Sequence, residues 1–151
     1  MTAEQLKALT LEGFQRMFNR GDLDFVEEAI APNAVDHQEA PGTDFAAHLK
    51  NVIAILRNAF PDLRFEVHEM LCEGQVVACR SMMTGTHQAP LKIGPLAGLP
   101  VTGARVEVPH MHFFRYDEQA RLTDLWHVWN TLLLARQLGA PAPDLRVSAP
   151  A

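Results

Sequence analysis

Apolar residues follow helical spacing in the first third of the chain and strand spacing after it. Leu6, Leu9, Phe14, Met17 and Phe18 predict an amphipathic helix that stops at Asn19-Arg20-Gly21. Asp22 reads as the cap of a short second helix with Leu23, Val26 and Ile30 on its buried side, ended before Pro32. Val35-Asp36-His37 is a brief extended segment, and Pro41-Gly42 a turn. Asp44 caps a third helix whose inner face is Phe45, Leu49, Val52, Leu56 and Phe60, with Pro61 as its stop. From there the period falls to two. Leu63, Phe65 and Val67 alternate with Arg64, Glu66 and His68, which predicts a half-buried strand. Further strands are predicted over Gln75 to Thr86, Arg105 to Tyr116 and Arg121 to Asn130, with a loop from Pro90 to Gly103.

Helices first and antiparallel strands after them give an α+β class with segregated layers: three N-terminal helices on a curved, mostly antiparallel sheet. No repeat or linker divides the 151 residues, so 1–151 is expected to be one domain, with residues 140–151 a loosely held tail. A formal charge of -5 argues against a nucleic-acid partner. The longest apolar runs, such as Val52 to Leu56, are far shorter than the roughly 20 residues that span a bilayer. Met1 to Lys7 shows no export signal, and Cys72 and Cys79 read as free thiols, so the expected location is the cytoplasm.

Three places hold polar residues that a plain core would not choose: Asp36-His37, His110-Met111-His112, and Asp124 between Leu122, Leu125 and Trp126. If the turn between the last two strands has an odd number of residues, His110, His112, Phe114 and Asp124 share one face. An even turn or a bulge puts Asp124 on the other face. A carboxylate among Leu, Trp and Phe is expected to have a raised pKa, the condition for exchanging a proton near neutrality. A nearby histidine can donate to an oxygen where enolate charge develops. Asp124 has the alternative of a rim carboxylate, and the two histidines that of satisfied groups on a half-buried face. Asp36-His37 has the alternative of turn chemistry.

His-x-His also suits a metal, with His37 or Asp124 completing the ligands, but no zinc signature is present and the expectation is no metal and no cofactor. His48, His68 and His87 are expected at the surface or rim. Arg80 pairs with a buried acid or sits at a sheet edge. No nucleophile elbow, Cys/His signature or phosphate loop is present.

The ordered pieces Ala31-Pro32-Asn33-Ala34-Val35-Asp36-His37, Ala59-Phe60-Pro61-Asp62-Leu63, Thr84-Gly85-Thr86-His87, Leu99-Pro100-Val101-Thr102-Gly103, Leu122-Thr123-Asp124-Leu125-Trp126 and Arg136-Gln137-Leu138-Gly139 resemble the SnoaL-like polyketide cyclases. They run from about Phe14 to Gly139. The resemblance implies the cone-shaped barrel of nuclear transport factor 2-like proteins, and an intramolecular aldol ring closure of a polar-aromatic or β-dicarbonyl substrate without metal or cofactor. It implies Asp124 as general acid/base, His110 as helper near the substrate oxygens and His37 as a pocket histidine. His112, Arg80, Phe114, Trp126 and Asn130 complete the expected substrate contacts. The chain departs from the family pattern at Asn130, where many members have Asp, at Ser81-Met82 after Arg80, and near Gln119-Ala120, where a turn glycine is missing. The rival readings are a same-fold isomerase, dehydratase or epoxide hydrolase, and a non-catalytic binding or dimerisation module. The apolar last strand, with Trp126 and Trp129, makes a homo-oligomer (dimer or tetramer) the expected assembly.

Overall fold

The computed structural model describes residues 1–141, so the expected loose tail lies almost wholly outside the described residues. Thr2 opens α1 (Ala3–Gly13) with a capping box: its hydroxyl accepts from the Gln5 amide at 3.2 Å, and the Gln5 side chain accepts from the Thr2 amide at 2.8 Å. The helix continues through a wider π-helical turn, Phe14–Asn19, which keeps Phe14 and Phe18 in contact with Phe65. α2 (Asp24–Ala29) is shorter than its apolar pattern suggested, because Ile30 already belongs to β1 (Ile30–Asp36). Asp44 caps α3 (Phe45–Ala59), accepting from the Ala47 amide at 3.1 Å. Its buried stripe is Phe45, Ile53, Leu56 and Ala59.

The strands β2 (Arg64–Glu73), β3 (Val76–Thr86), β4 (Arg105–Tyr116) and β5 (Leu122–Trp129) form an antiparallel run, and β1 joins its end in parallel with β5. The order is β1-β5-β4-β3-β2. The sheet is open, so the expected barrel is a wrapped sheet with two free edges. A helix not foreseen in the sequence, α4 (Thr131–Gln137), starts at Asn130 and packs on β4.

One sheet face packs on the helices, and no described element covers the other. Inner residues alternate along each strand: Val77, Cys79, Ser81, Met83 and Gly85 on β3, and Val106, Val108, His110, His112 and Tyr116 on β4 are all buried. Gly85 is needed at its place, because a Cβ there would lie 2.8 Å from the Cβ of Phe60. Burial of Phe60, Met83, Val106 and Val108, each at 0% exposure, supplies the hydrophobic drive that fixes which face turns in.

The β4–β5 hairpin corrects one sequence expectation. Its turn, Asp117 to Arg121, is odd in length as the argument required, and Tyr116 duly opposes Leu122. The next pair is Arg115 with Asp124, so Thr123 is an extra residue on β5. The bulge shifts the parity, and every later β5 residue changes face. The Thr123 hydroxyl lies 3.2 Å from the Arg115 carbonyl and 2.9 Å from Asp124 Oδ2, and its single proton is shared between these two acceptors. Within the turn, Ala120 takes a left-handed φ of 64° at the place where a glycine was missed.

Candidate active site

The bulge sends Asp124, Trp126 and Val128 outward and Leu125, His127 and Trp129 inward. Asp124 and His110 are therefore on opposite faces of the sheet. Their joint action, expected from an unbulged hairpin, is excluded by this register.

The outer group is built around Trp126. His37 follows the end of β1 and stacks on the Trp126 ring with centroids 4.4 Å apart and planes within 4°. Its Nε2 meets Asp124 Oδ1 at 2.9 Å. Thr123 donates to Asp124 Oδ2 at 2.9 Å, and the Arg115 guanidinium is 3.8 Å from the same oxygen. Desolvation pushes the Asp124 pKa up, but the His37 and Thr123 hydrogen bonds and the Arg115 and His37 charges outweigh it, and the net direction is down. The expected rise is thus reversed, because sequence showed the apolar flanks but not the His37, Thr123 and Arg115 partners that gather on the carboxylate.

The inner group is different. Asp36 lies beside Leu125 in the parallel β1–β5 pairing and turns inward at 8% exposure. Its Oδ2 is 3.1 Å from His127 Nε2, and its Oδ1 accepts from the Gln38 amide at 3.0 Å. The Gln38 side chain accepts from the His127 amide at 2.5 Å, which ties the two strands together at this level. Burial raises the Asp36 pKa. The His127 hydrogen bond, the Gln38 amide and the charges of His127 and His48 overcome that, so the group is held below the ordinary carboxylate range. From His127 a column of imidazoles runs across the face: His112 at 5.9 Å between centroids, then His110 a further 5.6 Å on, with Trp129 5.3 Å from His110. Burial pushes the His110 pKa down to about 3 and drives His112 well below its usual value, so both are neutral at pH 7.

The other expected contacts scatter. Arg80 points outward and pairs with Glu69 at 3.4 Å and His68 at 3.3 Å, both exposed, rather than with a buried acid. Phe114 turns inward but packs on Phe14 and His112, lining a small apolar cavity of about 50 Å3 with Thr10 and Tyr116. Asn130 caps α4, its side chain accepting from the Leu133 amide at 2.9 Å. Trp126 belongs to the outer group. His87, expected at the rim, is fully buried against Phe60. Among the described residues no three His, Cys, Asp or Glu side chains are grouped to hold a metal, and His37 and Asp124 lie across the sheet from His110 and His112. Cys72 and Cys79 are free; burial raises the Cys79 thiol to about 12, so it is not a thiolate nucleophile.

Two inner residues, His127 and Ser81, were not expected as site residues from the sequence, although Ser81 was noted as a departure from the family pattern. His127 was hidden by the ambiguous alternation of β5, and Ser81 looked like an ordinary strand residue. A groove of about 820 Å3 runs along β1 and the segment 39–46 and includes Asp36 and His37 in its walls. No helix among the described residues is long and apolar enough to cross a membrane.

Comparison with known proteins fits this architecture. TsrD of Streptomyces laurentii superposes with a TM-score of 0.79 at 21% identity, covering 93% of this chain and 98% of that one. IdmH of Streptomyces antibioticus gives 0.74 at 27% identity, covering 90% and 99%. A SnoaL-like polyketide cyclase of Agrobacterium tumefaciens gives 0.69 at 22% identity, covering 89% and 98%. Among curated proteins none matches the sequence. The profile of the SnoaL-like polyketide cyclases matches residues 8–138, and the fold is the nuclear transport factor 2-like cone. The chain belongs to the SnoaL-like polyketide cyclase family.

Proposed function

We propose that this protein is a cyclase-type acid/base enzyme acting on a small enolisable carbonyl compound, with the Asp36–His127 pair in the role first expected of Asp124. The observation that carries the reading is a buried carboxylate hydrogen-bonded to a half-buried imidazole, next to two neutral histidines on the enclosed face. With Nε2–H donated to Asp36, His127 presents Nδ1 as the free base. It removes the proton from an acidic carbon, and Asp36 stabilises the imidazolium that forms. The carbanion then attacks a carbonyl carbon of the same molecule, one C–C bond forms, and the new alkoxide takes the proton back from His127. The protein needs no redox partner for this sequence, because electrons and atoms are conserved within the substrate.

The experiment is deuterium exchange at the acidic carbon of candidate β-dicarbonyls, followed by proton NMR in heavy water. General-base catalysis is worth about 10²–10⁴-fold, and His127→Gln is expected to remove that much of the exchange rate. Undiminished exchange in a folded His127→Gln protein sinks the assignment.

The assembly proposed with it is a homo-oligomer through the outer face. Cross-strand pairs place Ala78, Phe113 and Trp126 in one row and Arg80, Met111 and Val128 in the next, with Leu71 opposite Ala78. Phe113 and Val128 are 53% and 66% exposed, a contiguous apolar surface of the kind that associates. Sedimentation of the wild type against Phe113→Glu tests it: a monomeric wild type rejects the proposal.

A further inference from the structure

Three amide side chains take the place of a strand where the sheet runs out. Asn19 closes the free edge of β2: it donates to the Phe65 carbonyl at 3.0 Å and accepts from the Phe65 amide at 2.7 Å. Gln137 of α4 does the same for Glu107, on the part of β4 beyond its last β5 partner, at 3.0 and 2.9 Å. Each satisfies one backbone donor and one backbone acceptor, which is the whole task of an edge cap. Gln38 is the third, and it sits on the Asp36–His127 pair. The His37 amide donates to the Leu125 carbonyl at 2.9 Å. In a parallel ladder the next rung joins the His127 amide to the carbonyl of residue 37. The chain turns there instead, with the Glu39 amide on the Asp36 carbonyl at 3.2 Å, and the Gln38 side-chain oxygen takes the His127 amide at 2.5 Å. The backbone N–H of Gln38 donates to Asp36 Oδ1 at 3.0 Å, which leaves Oδ2 for His127 Nε2 at 3.1 Å. One residue thus holds the carboxylate by one oxygen and the histidine by its main chain. Glu39, next along the turn, is tied to His48 of α3 at 3.1 Å, so the turn is anchored on both sides.

We propose that Gln38 is the positioning residue of the Asp36–His127 pair: its amide oxygen fixes the His127 main chain and its own N–H fixes the Asp36 carboxylate, so that the imidazole Nε2–H meets Oδ2 and Nδ1 stays free. The effect on rate rests on the reading of His127 as the base; the effect on geometry does not. Gln38 touches no reacting atom. It acts through His127, because a general base works only within hydrogen-bond reach of the proton it removes. A misplacement of about 1 Å costs on the order of 100-fold in rate. The side chain is the part that a substitution can remove, and it does for His127 what neither Asn19 nor Gln137 does for its strand: it aligns a titratable ring.

The test compares two variants of the full chain. Gln38→Met has nearly the length of glutamine and no acceptor oxygen, whereas Gln38→Glu keeps an oxygen at the same reach. The side chain is exposed in a turn, so both are expected to melt close to the wild type. The first readout is the ring N–H proton of His127 in the free protein, seen by heteronuclear NMR and assigned by its loss in His127→Gln. A hydrogen bond to a buried carboxylate moves that proton downfield and slows its exchange with water. The signal is expected in the wild type, lost in Gln38→Met and recovered in Gln38→Glu. The second readout is deuterium exchange into acetylacetone. Gln38→Met is expected to lower the rate constant about 10–100-fold with KM within about twofold of wild type, and Gln38→Glu to restore most of it. A wild-type ring-proton signal in Gln38→Met overturns the proposal, and so does absence of the signal in the wild type. A loss confined to KM, or one that Gln38→Glu does not restore, rejects it as well. A wild type that exchanges no deuterium counts against His127 as the base and not against Gln38, which the ring proton judges alone.

Discussion

β1 and β5 carry two Asp–His pairs back to back, one on each face of the sheet. Inside, Asp36 of β1 meets His127 of β5 at 3.1 Å; outside, His37 beyond β1 meets Asp124 of β5 at 2.9 Å. The residue types and nearly the distances are the same. The surroundings differ. The inner carboxylate is 6% exposed at its side chain and the outer one 23%, with its histidine at 35%. The inner pair adjoins neutral imidazoles and the aromatic lining, whereas the outer pair adjoins a guanidinium and solvent. An acid/base pair works when water is kept from it and its partner groups face the reacting molecule. By that criterion the inner pair suits the acid/base role proposed for it, and the outer pair has the setting of a surface interaction.

The sharpest way to break the contrast is to neutralise each carboxylate in turn. Asp36→Asn leaves His127 without the charge that stabilises its imidazolium, and deuterium exchange is expected to fall about 100-fold or more. Asp124→Asn is expected to change exchange less than about twofold, since it touches nothing on the inner face. If the two variants exchange places in this ranking, the assignment of the faces to chemistry is wrong.

Much of this was legible beforehand, and the failure is local. The strand from Arg105 to Tyr116 was delimited to the residue because Val106, Val108 and Tyr116 leave only one face to bury. The α+β class followed from the order of elements, and the cone and family from the short motifs that carry the resemblance, whereas the open sheet edge was not foreseen. β5 was different: Leu122, Trp126 and Val128 compete with Leu125 and Trp129 for the core, so alternation gives no parity. One residue, Thr123, then decides it through a bulge whose hydroxyl reaches the Arg115 carbonyl and Asp124 Oδ2. Asp36 was noticed for its type, but its partner depends on a parallel pairing between segments some ninety positions apart, which local spacing does not encode. The last helix was missed because Asn130 was taken for a site residue when it is a cap.

Next in size is a contrast in packing. Met83 is fully buried on the inner face, and Met111 is 46% exposed on the outer one. Met83→Ala is expected to cost about 2–5 kcal/mol, through lost burial and the cavity left behind. Met111→Ala is expected to fall within about 0.5 kcal/mol in the isolated chain. Urea unfolding measures both. A large effect at Met111 that disappears on dilution would mean that the outer face is covered by a second copy, which sharpens the oligomer proposal.

Acid separates the faces by where they titrate. His110 takes up its proton near pH 3 when folded and near pH 6.5 when unfolded, because burial disfavours the imidazolium. Its folded value is depressed, so the stability it contributes is complete above about pH 6.5 and is lost as pH falls towards about 3. One such group gives a slope of about 1.4 kcal/mol per pH unit inside that window, and His112 acts in the same direction. Asp124, also depressed, keeps its contribution above about pH 4 and loses it only as pH falls below that. Unfolding free energies at about pH 7 and pH 5 are therefore expected to differ, and His110→Gln should flatten the difference. A flat profile in the wild type would mean that the imidazole column is hydrated.

The smallest effect asks whether the outer pair does anything beyond decorating the surface. His37 and Asp124 are hydrogen-bonded, and the ring also stacks on Trp126, so single substitutions mix two contacts. A double-mutant cycle over His37→Ala and Asp124→Asn isolates the pair from the stacking, because the ring–Trp126 contact is lost equally in both arms that contain His37→Ala. Exposed pairs couple by about 0.2–1 kcal/mol, and the outer pair is expected inside that range near pH 7. The coupling should shrink in high salt, which screens an exposed pair far more than an enclosed one. A coupling well above about 1 kcal/mol that resists salt would require the pair to be shut away from water. No described part of the chain does that on this face, so such a result would move Asp124 from the solvent side of the comparison into a covered surface while leaving it still across the sheet from His110.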